Sequence, residues 1–127
     1  MKLYTIKERK NALQNEFGRI LDIIIEEYKP EKVILFGSFA EDEIHEWSDI
    51  DILIIKETSL RPIERCVELS RIVKPKVGID FFIYTPDEYK SLLSERYSFL
   101  INITKKGKVV YEKRSWRMGE DCKWGIS

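Results

Sequence analysis

The spacing of apolar residues along the chain changes from helical in the first part to unbroken runs further on. Over residues 6–28 the apolar positions recur every three or four residues, which predicts one long amphipathic helix. Lys29-Pro30 ends this helix because proline cannot continue it. The contiguous apolar residues of 32–36 are typical of a strand that is buried on both faces, and 52–55 form the strongest run of this kind.

The second half of the chain continues with alternating elements. Residues 63–73 have a helical stripe, with Pro62 near its first position, and 77–84 form a strand whose residues 81–84 we expect to be largely buried. Thr85-Pro86 begins a further helical region, which reaches Ile103, and 109–111 form a short edge strand. This order predicts an α/β or α+β domain with a small mixed sheet and helices packed on one side of it.

The length indicates one domain, and the composition gives it no net charge. A chain of 127 residues can bury a core without disulfides, and its 22 basic and 22 acidic residues balance. We therefore expect no membrane association and no strong binding to nucleic acid. The N-terminus has no signal-peptide core and the apolar runs are too short to span a bilayer, which predicts a cytoplasmic protein. Cys66 and Cys122 are expected to be free thiols.

The segment 113–127 shows no periodicity and is predicted to be a tail that follows a domain of residues 1–112. Its large apolar residues could dock on a partner or on a second copy, which leaves a homodimer open; a poorly ordered terminus is an equally good interpretation. These residues are Trp116, Met118 and Trp124.

Two short motifs in the first half suggest phosphate and metal chemistry. Gly37-Ser38 follows a predicted strand, where glycine lets the backbone approach a ligand and Ser38 can cap a helical turn that faces an anion. Asp49 and Asp51 open the next apolar run, and their alternation places both carboxylates on one face, about 6–7 Å apart. Two carboxylates at this distance repel each other unless a cation lies between them. Their oxygen atoms are ligands that suit Mg²⁺.

The spacing of these motifs resembles a known signature. Gly37-Ser38, ten intervening residues and Asp49-Ile50-Asp51 look like the motif of the DNA polymerase β-like nucleotidyltransferase superfamily. The small size resembles its minimal nucleotidyltransferase (MNT) branch, and the resemblance covers roughly residues 10–112. It implies the nucleotidyltransferase fold and a third carboxylate on a later strand, for which the chain offers Asp80.

The resemblance also implies roles for these residues. Asp49, Asp51 and Asp80 would hold two Mg²⁺ ions, and Asp80 could accept a proton from an acceptor hydroxyl. Gly37 and Ser38 would bind the phosphates of ATP. Minimal nucleotidyltransferases often resemble antitoxins of HEPN toxins, so the leading hypothesis is AMP transfer from ATP to a tyrosine of a HEPN-type toxin.

Two other functions stay open at this stage. Many minimal members continue the Gly-Ser motif as Ala-Arg-Gly, whereas Glu41-Asp42-Glu43 follows Ala40 here. This acidic cluster favours a binding module that neutralises its partner by contact alone. It would also attract a cationic small molecule such as an aminoglycoside. The same loop holds His45, which we interpret as a surface residue, and Trp47, which packs under the loop or stacks on a base.

Overall fold

The structure is a computed structural model that describes residues 5–43 and 49–114. The predictions for some residues of the motif loop and the tail lie outside these ranges. They concern His45, Trp47, Trp116, Met118, Cys122 and Trp124. The prediction of a separate tail over 113–127 therefore stays a prediction.

In the described residues, α-helices alternate with the strands of one sheet. The helices are α1 (Ile6–Ile23), α2 (Gly37–Ala40), α3 (Pro62–Val73), α4 (Pro86–Ser94) and α5 (Ser98–Lys106). The strands are β1 (Lys32–Phe36), β2 (Ile50–Ile55), β3 (Ile79–Tyr84) and β4 (Lys108–Glu112). A π-helical turn, Ile24–Tyr28, continues α1 and ends at Lys29, which has a left-handed backbone (φ 54°). The first predicted helix is thus confirmed, with a widened last turn.

The sheet is mixed, as predicted, and has the strand order β3-β2-β1-β4. β1 runs antiparallel to β2 and to β4, whereas β2 and β3 are parallel. The end of β1 therefore lies beside the starts of β2 and β3. Gly37-Ser38, Asp51 and Asp80 lie at this end of the sheet, and Asp49 directly precedes β2 there. This agrees with the prediction that the motif residues gather at one edge.

Helices cover both faces of the sheet, so the prediction of helices on one side is wrong. α1, the π-helical turn and α3 pack on the face that includes Val33, Leu35 and Ile52. α4 and α5 pack on the opposite face, which includes Ile34 and Leu53. The reason is in the strands themselves: β1 and β2 are apolar at consecutive positions, so each face must be shielded from water.

Local sequence signals account for most helix starts. Thr5 and Thr85 each accept a hydrogen bond from the backbone N–H three residues later, and the glutamate at that position accepts one from the threonine N–H in return. Pro62 and Pro86 occupy the first position of their helices. The apolar pattern that reaches Ile103 is divided into α4 and α5 by Arg96, whose backbone is left-handed (φ 60°).

Strand β3 is less buried than predicted. Only Ile83 is buried among its residues, because β3 is the outermost strand on its side of the described sheet. Within residues 5–43 and 49–114, no helix combines the length and apolarity that a bilayer crossing requires.

Candidate active site

Asp51 and Asp80 lie directly opposite each other on β2 and β3. Because partners in register point to the same side, both carboxylates face the layer of α4 and α5. Asp49 lies two residues before Asp51 at the entrance to β2, and its charge contributes to the pKa of Asp51. The predicted convergence of the three aspartates at one end of the sheet is therefore seen in the structure.

The environment of Asp51 raises its carboxyl pKa from 3.8 to about 6. Burial is the largest cause, followed by the charge of Asp80, a hydrogen bond with the Asp80 side chain and the charge of Asp49. The protein thus gathers acidic groups around Asp51, whose half-buried carboxyl is harder to ionise for this reason.

Two glycines provide the space that these carboxylates occupy. A Cβ atom on Gly37 would collide with the Asp51 carboxylate, and one on Gly78 would collide with the Asp49 carboxylate. Gly37 also has a left-handed backbone (φ 83°), which favours glycine. Sequence reasoning identified Gly37 for phosphate approach but missed Gly78; its place two residues before Asp80 was the available signal.

Ser38 does not cap the helical turn that follows β1, so this detail of the prediction is wrong. α2 begins at Gly37, and the N-cap position belongs to Phe36, which has an extended backbone (φ −143°, ψ −178°). The turn starts two residues earlier than expected, because β1 passes directly into it. Ser38 is the second residue of α2, beside Gly37 and the end of β1.

The first turn of α1 contributes two cations that sequence reasoning missed. The Arg9 Nη2 atom lies 3.3 Å from Asp49 Oδ1, and the Lys10 Nζ atom lies 3.0 Å from Asp42 Oδ1. The acidic cluster after α2 is therefore paired in part with Lys10. Arg9 and Asp49 are 40 residues apart, and no local pattern signals such a contact.

The loop before β3 is held by a partly buried ion pair on α1. Glu16 accepts hydrogen bonds from Arg19 and from the Lys76 backbone N–H (2.6 Å), and Arg19 also donates to the carbonyls of Val73 and Lys74. The Arg19 hydrogen bond lowers the pKa of Glu16. This network fixes the segment that carries Gly78 toward Asp49.

A groove of about 650 Å³ lies along the outer edge of β3 between α3 and α4, and its lining does not include Asp49, Asp51 or Asp80. Its walls are mainly apolar and include Cys66, Phe81 and Leu92. The Cys66 Sγ atom contacts the Phe81 carbonyl (3.5 Å), and burial raises the thiol pKa. Size alone does not identify the reactive site, because the charged groups suited to chemistry lie at the end of the sheet.

The donor set of the site consists of carboxylate oxygens, which suit Mg²⁺ chemically. Among the side chains of the described ranges, no group of three or more His, Cys, Asp or Glu residues is arranged to hold a metal ion as it stands. Asp49 is directed toward Arg9, and Asp51 is hydrogen-bonded to Asp80.

A mixed sheet with acidic residues on two neighbouring strands beside a glycine-serine turn is the arrangement that the nucleotidyltransferase motif in the sequence implies. Residues 19–115 match the family described as polymerase beta, nucleotidyltransferase, and the chain belongs to this family. The family predicted from the motif is therefore confirmed, and the size of the chain fits the minimal branch.

One curated protein and two solved structures are similar to this chain. The chain is 33% identical over 108 residues to a Methanocaldococcus jannaschii protein provisionally named a protein adenylyltransferase, covering 84% of this chain and 94% of that one. A crystal structure from Sulfolobus solfataricus, provisionally described as a nucleotidyltransferase, shares the fold with a TM-score of 0.58 and 19% identity, over 88% of this chain and 91% of that one. A crystal structure of a toxin-antitoxin with AMP-PNP has a TM-score of 0.46 and a sequence identity of 20%, over 80% of this chain and 75% of that one.

Proposed function

We propose that this nucleotidyltransferase moves AMP from ATP to a hydroxyl of a partner protein, with Mg²⁺ held by Asp49, Asp51 and Asp80. The observation that carries the proposal is the in-register pair Asp51 and Asp80, with the charge of Asp49 beside it. A protein as the acceptor is supported by the provisional name of the Methanocaldococcus jannaschii relative.

The carboxylates fit Mg²⁺ on both chemical and electrostatic grounds. The pKa of Asp51 is raised to about 6 by burial and by its acidic neighbours, so a cation that compensates their charge would favour the ionised form. Bound Mg²⁺, as two ions, would neutralise charge on the phosphates and polarise the reacting oxygens. Asp49, Asp51 and Asp80 are the residues we assign to hold it.

The proposed reaction is a displacement at the α-phosphorus of ATP. The acceptor oxygen forms a bond to this phosphorus, the bond to the oxygen that bridges the α- and β-phosphates breaks, and pyrophosphate leaves. The proton of the hydroxyl passes to a carboxylate oxygen of Asp80, which is exposed at the edge strand and can meet an acceptor from solution.

Gly37 and Ser38 are assigned to the β- and γ-phosphates. Gly37 has no side chain to obstruct the ligand, and its position beside Asp51 would bring the phosphates next to the carboxylates. The Ser38 hydroxyl is suited to donate a hydrogen bond to a phosphate oxygen.

We assign the acceptor to a HEPN-type toxin and the reaction to the cytoplasm, where ATP is available. The resemblance of the motif and of the chain's size to MNT antitoxins supports the toxin as acceptor. AMP on a toxin tyrosine adds bulk and negative charge to that side chain, and this change would neutralise the toxin.

The test is incubation of the purified protein with Mg²⁺, ATP and the protein encoded beside it, followed by intact-protein mass spectrometry. An Asp49→Asn/Asp51→Asn variant serves as the inactive form. Asp87→Asn is the matched control, because it makes the same chemical change in the first turn of α4.

We expect the partner to gain one or more adenylyl units with the wild type and with Asp87→Asn, and none with the double variant. A stable complex without any mass gain would overturn the proposal in favour of neutralisation by contact. AMP transfer to an aminoglycoside, with no partner protein present, would instead identify a small-molecule nucleotidyltransferase.

A further inference from the structure

We propose that the rings of Phe36, Phe82 and Phe99 form a stacking subsite for the adenine base of the nucleotide. This inference rests on the proposed function, since it adds a base subsite to the positions assigned to the phosphates and the metal. It joins the aromatic end of the layer formed by α4 and α5 to the carboxylates beside it.

The three rings form one contiguous group. The ring centroids of Phe82 and Phe99 lie 5.3 Å apart, those of Phe36 and Phe82 5.5 Å, and those of Phe36 and Phe99 5.9 Å. Their planes are inclined to one another by 54–86°, so none of the three pairs is stacked in parallel. Tyr97, which is 43% exposed, extends the group toward solvent at 6.0 Å from the Phe99 ring.

The group lies on the same face of the sheet as the carboxylates. Phe36 is the register partner of Asp51 on the neighbouring antiparallel strand, where opposite Cβ atoms are roughly 4.5–5.5 Å apart. Phe82 follows Asp80 by two residues on β3, so both side chains point toward α4 and α5. Phe99 is the second residue of α5 and contacts both other rings. The rings therefore lie beside Asp51 and Asp80.

The packing of this layer changes toward the site. Apart from Tyr89, its buried residues are aliphatic, whereas Phe36, Phe82 and Phe99 are only partly buried. Partly exposed rings beside a polar site are suited to a planar ligand, because every nucleobase has a π face that can stack on an aromatic side chain. The buried aliphatic residues are Ile34, Leu53, Ile55, Leu100 and Ile103.

The geometry of the proposed reaction brings the base to this face. In an in-line displacement the attacking and leaving oxygens lie on opposite sides of the α-phosphorus. Pyrophosphate is assigned to Gly37 and Ser38 on the β1 side, and the acceptor meets Asp80 on the β3 side. The nucleoside therefore leaves this line sideways. On the side that the carboxylates face, it meets the apolar surface of the rings.

An aromatic pair on the opposite face of the sheet provides the matched control. Phe17 is also partly buried and packs edge-to-face on Phe39, with the ring centroids 5.8 Å apart. Phe99→Leu and Phe17→Leu each replace one ring of such a contact by an apolar side chain. A general effect of lost packing would change both variants alike, whereas loss of base stacking changes only the first. Phe99→Tyr keeps the ring.

Calorimetric titrations of the full chain with two ligands, each with Mg²⁺, separate the base from the phosphates. One ligand is a non-hydrolysable ATP analogue, and the other is inorganic tripolyphosphate, which has three phosphates and no nucleoside. In Phe99→Leu we expect about tenfold weaker binding of the analogue, the effect of losing one stacking contact, and less than about twofold change for tripolyphosphate. Phe99→Tyr and Phe17→Leu should change each affinity by less than about twofold.

The inference is overturned if Phe99→Leu, folded by circular dichroism, binds the analogue as tightly as the wild type does. Equal losses for the analogue and tripolyphosphate, or an equal loss in Phe17→Leu, would also overturn it. Phe82→Leu should repeat the pattern of Phe99→Leu and takes its place if that variant does not fold.

The wild type separates this inference from the proposed function. If the wild type binds the analogue in the ring-dependent way but transfers no AMP, the proposed transferase activity fails and the base subsite stands. If it transfers AMP and Phe99→Leu binds the analogue unchanged, only the base subsite fails. A wild type that does not bind the analogue defeats both.

Discussion

Asp51 and Asp80 face each other across two parallel strands, with their like charges on one side of the sheet. Opposed charges of one sign destabilise a pair of strands, and burial adds to the cost because it disfavours an ionised carboxylate. The raised pKa of Asp51, about 6, reports both effects. The candidate site thus lowers the stability of the metal-free fold.

Replacing Asp51 by asparagine should therefore stabilise the metal-free protein at neutral pH. The pKa of Asp51 is about 6 in the folded state against a reference of 3.8, so the folded state binds the proton more tightly. The stability of the wild type should fall as pH rises from about 4 to 6, and then level off. At pH 8 we expect Asp51→Asn to be more stable by about 2 kcal/mol, given roughly 1.4 kcal/mol per pKa unit and a reduction for screening by solvent, and at pH 4 about equal.

Urea unfolding in EDTA at both pH values measures this difference. Asp22→Asn, at an exposed position of α1, is the control and should change the unfolding free energy at pH 8 by no more than about 0.5 kcal/mol. A lower stability of Asp51→Asn at pH 8 would show that the carboxylate is not strained in the folded protein.

Gly78→Ala should weaken metal and nucleotide binding by displacing Asp49. A methyl group at this position would collide with the Asp49 carboxylate, which must move or rotate. We expect AMP transfer to fall by at least about tenfold, since a shift of about 1 Å at a reacting group can cost a factor of 100. Enzyme assay and Mn²⁺ titration measure the effect.

Gly18→Ala is the matched control for this change. Gly18 lies within α1, and a methyl group added there would meet no heavy atom within 4 Å beyond the backbone of its own helix and its chain neighbours. The substitution should raise stability by about 0.5–1 kcal/mol, because alanine is the better helix former, and leave AMP transfer unchanged. Wild-type activity in Gly78→Ala would refute the idea that this glycine makes room for Asp49.

The elements of the fold were predictable because their signals are local. The apolar run of 32–36 is β1, and Thr85-Pro86 begins a helix, as the sequence pattern indicates. The second helix layer follows from the same apolar runs, because strands that are buried on both faces need cover on each side, although the prediction placed the helices on one side. Ile34 and Leu53 needed a second layer, which α4 and α5 supply.

In the candidate site, the residues with a local sequence signal were predicted and those placed by distant contacts were not. Asp49 and Asp51 could be recognised from their alternation, and Asp80 from the family resemblance, which implies a third carboxylate on a later strand. The parts missed were Arg9 and Gly78, whose roles arise from contacts across the fold. Arg9 contacts Asp49 across 40 residues of sequence, and no period in its own helix encodes that contact.

The buried arginine of α3 should dominate the stability of the edge strand β3. Arg65 is 5% exposed on its side chain and donates to the Ile83 carbonyl (3.1 Å), the Leu60 carbonyl (2.8 Å) and Glu88. Arg65→Ala leaves these acceptors without their donor, and we expect a loss of about 2–4 kcal/mol in unfolding free energy. Arg61→Ala is the control, because Arg61 is paired with Glu64 at the start of the same helix and its side chain is 82% exposed. It should lower the unfolding free energy by no more than about 0.5 kcal/mol.

The pH dependence of the same variants separates the ion pair from simple packing. The hydrogen bond from Arg65 lowers the pKa of Glu88, so the pair stabilises the fold above the ordinary glutamate pKa of 4.5 and loses this contribution as pH falls through the lowered value. The gap in stability between wild type and Arg65→Ala should therefore narrow on acidification, as measured by urea unfolding between pH 7 and pH 3. A gap that stays constant over this range would mean that Arg65 acts through its packing and its carbonyl contacts, with no contribution from the charge of Glu88.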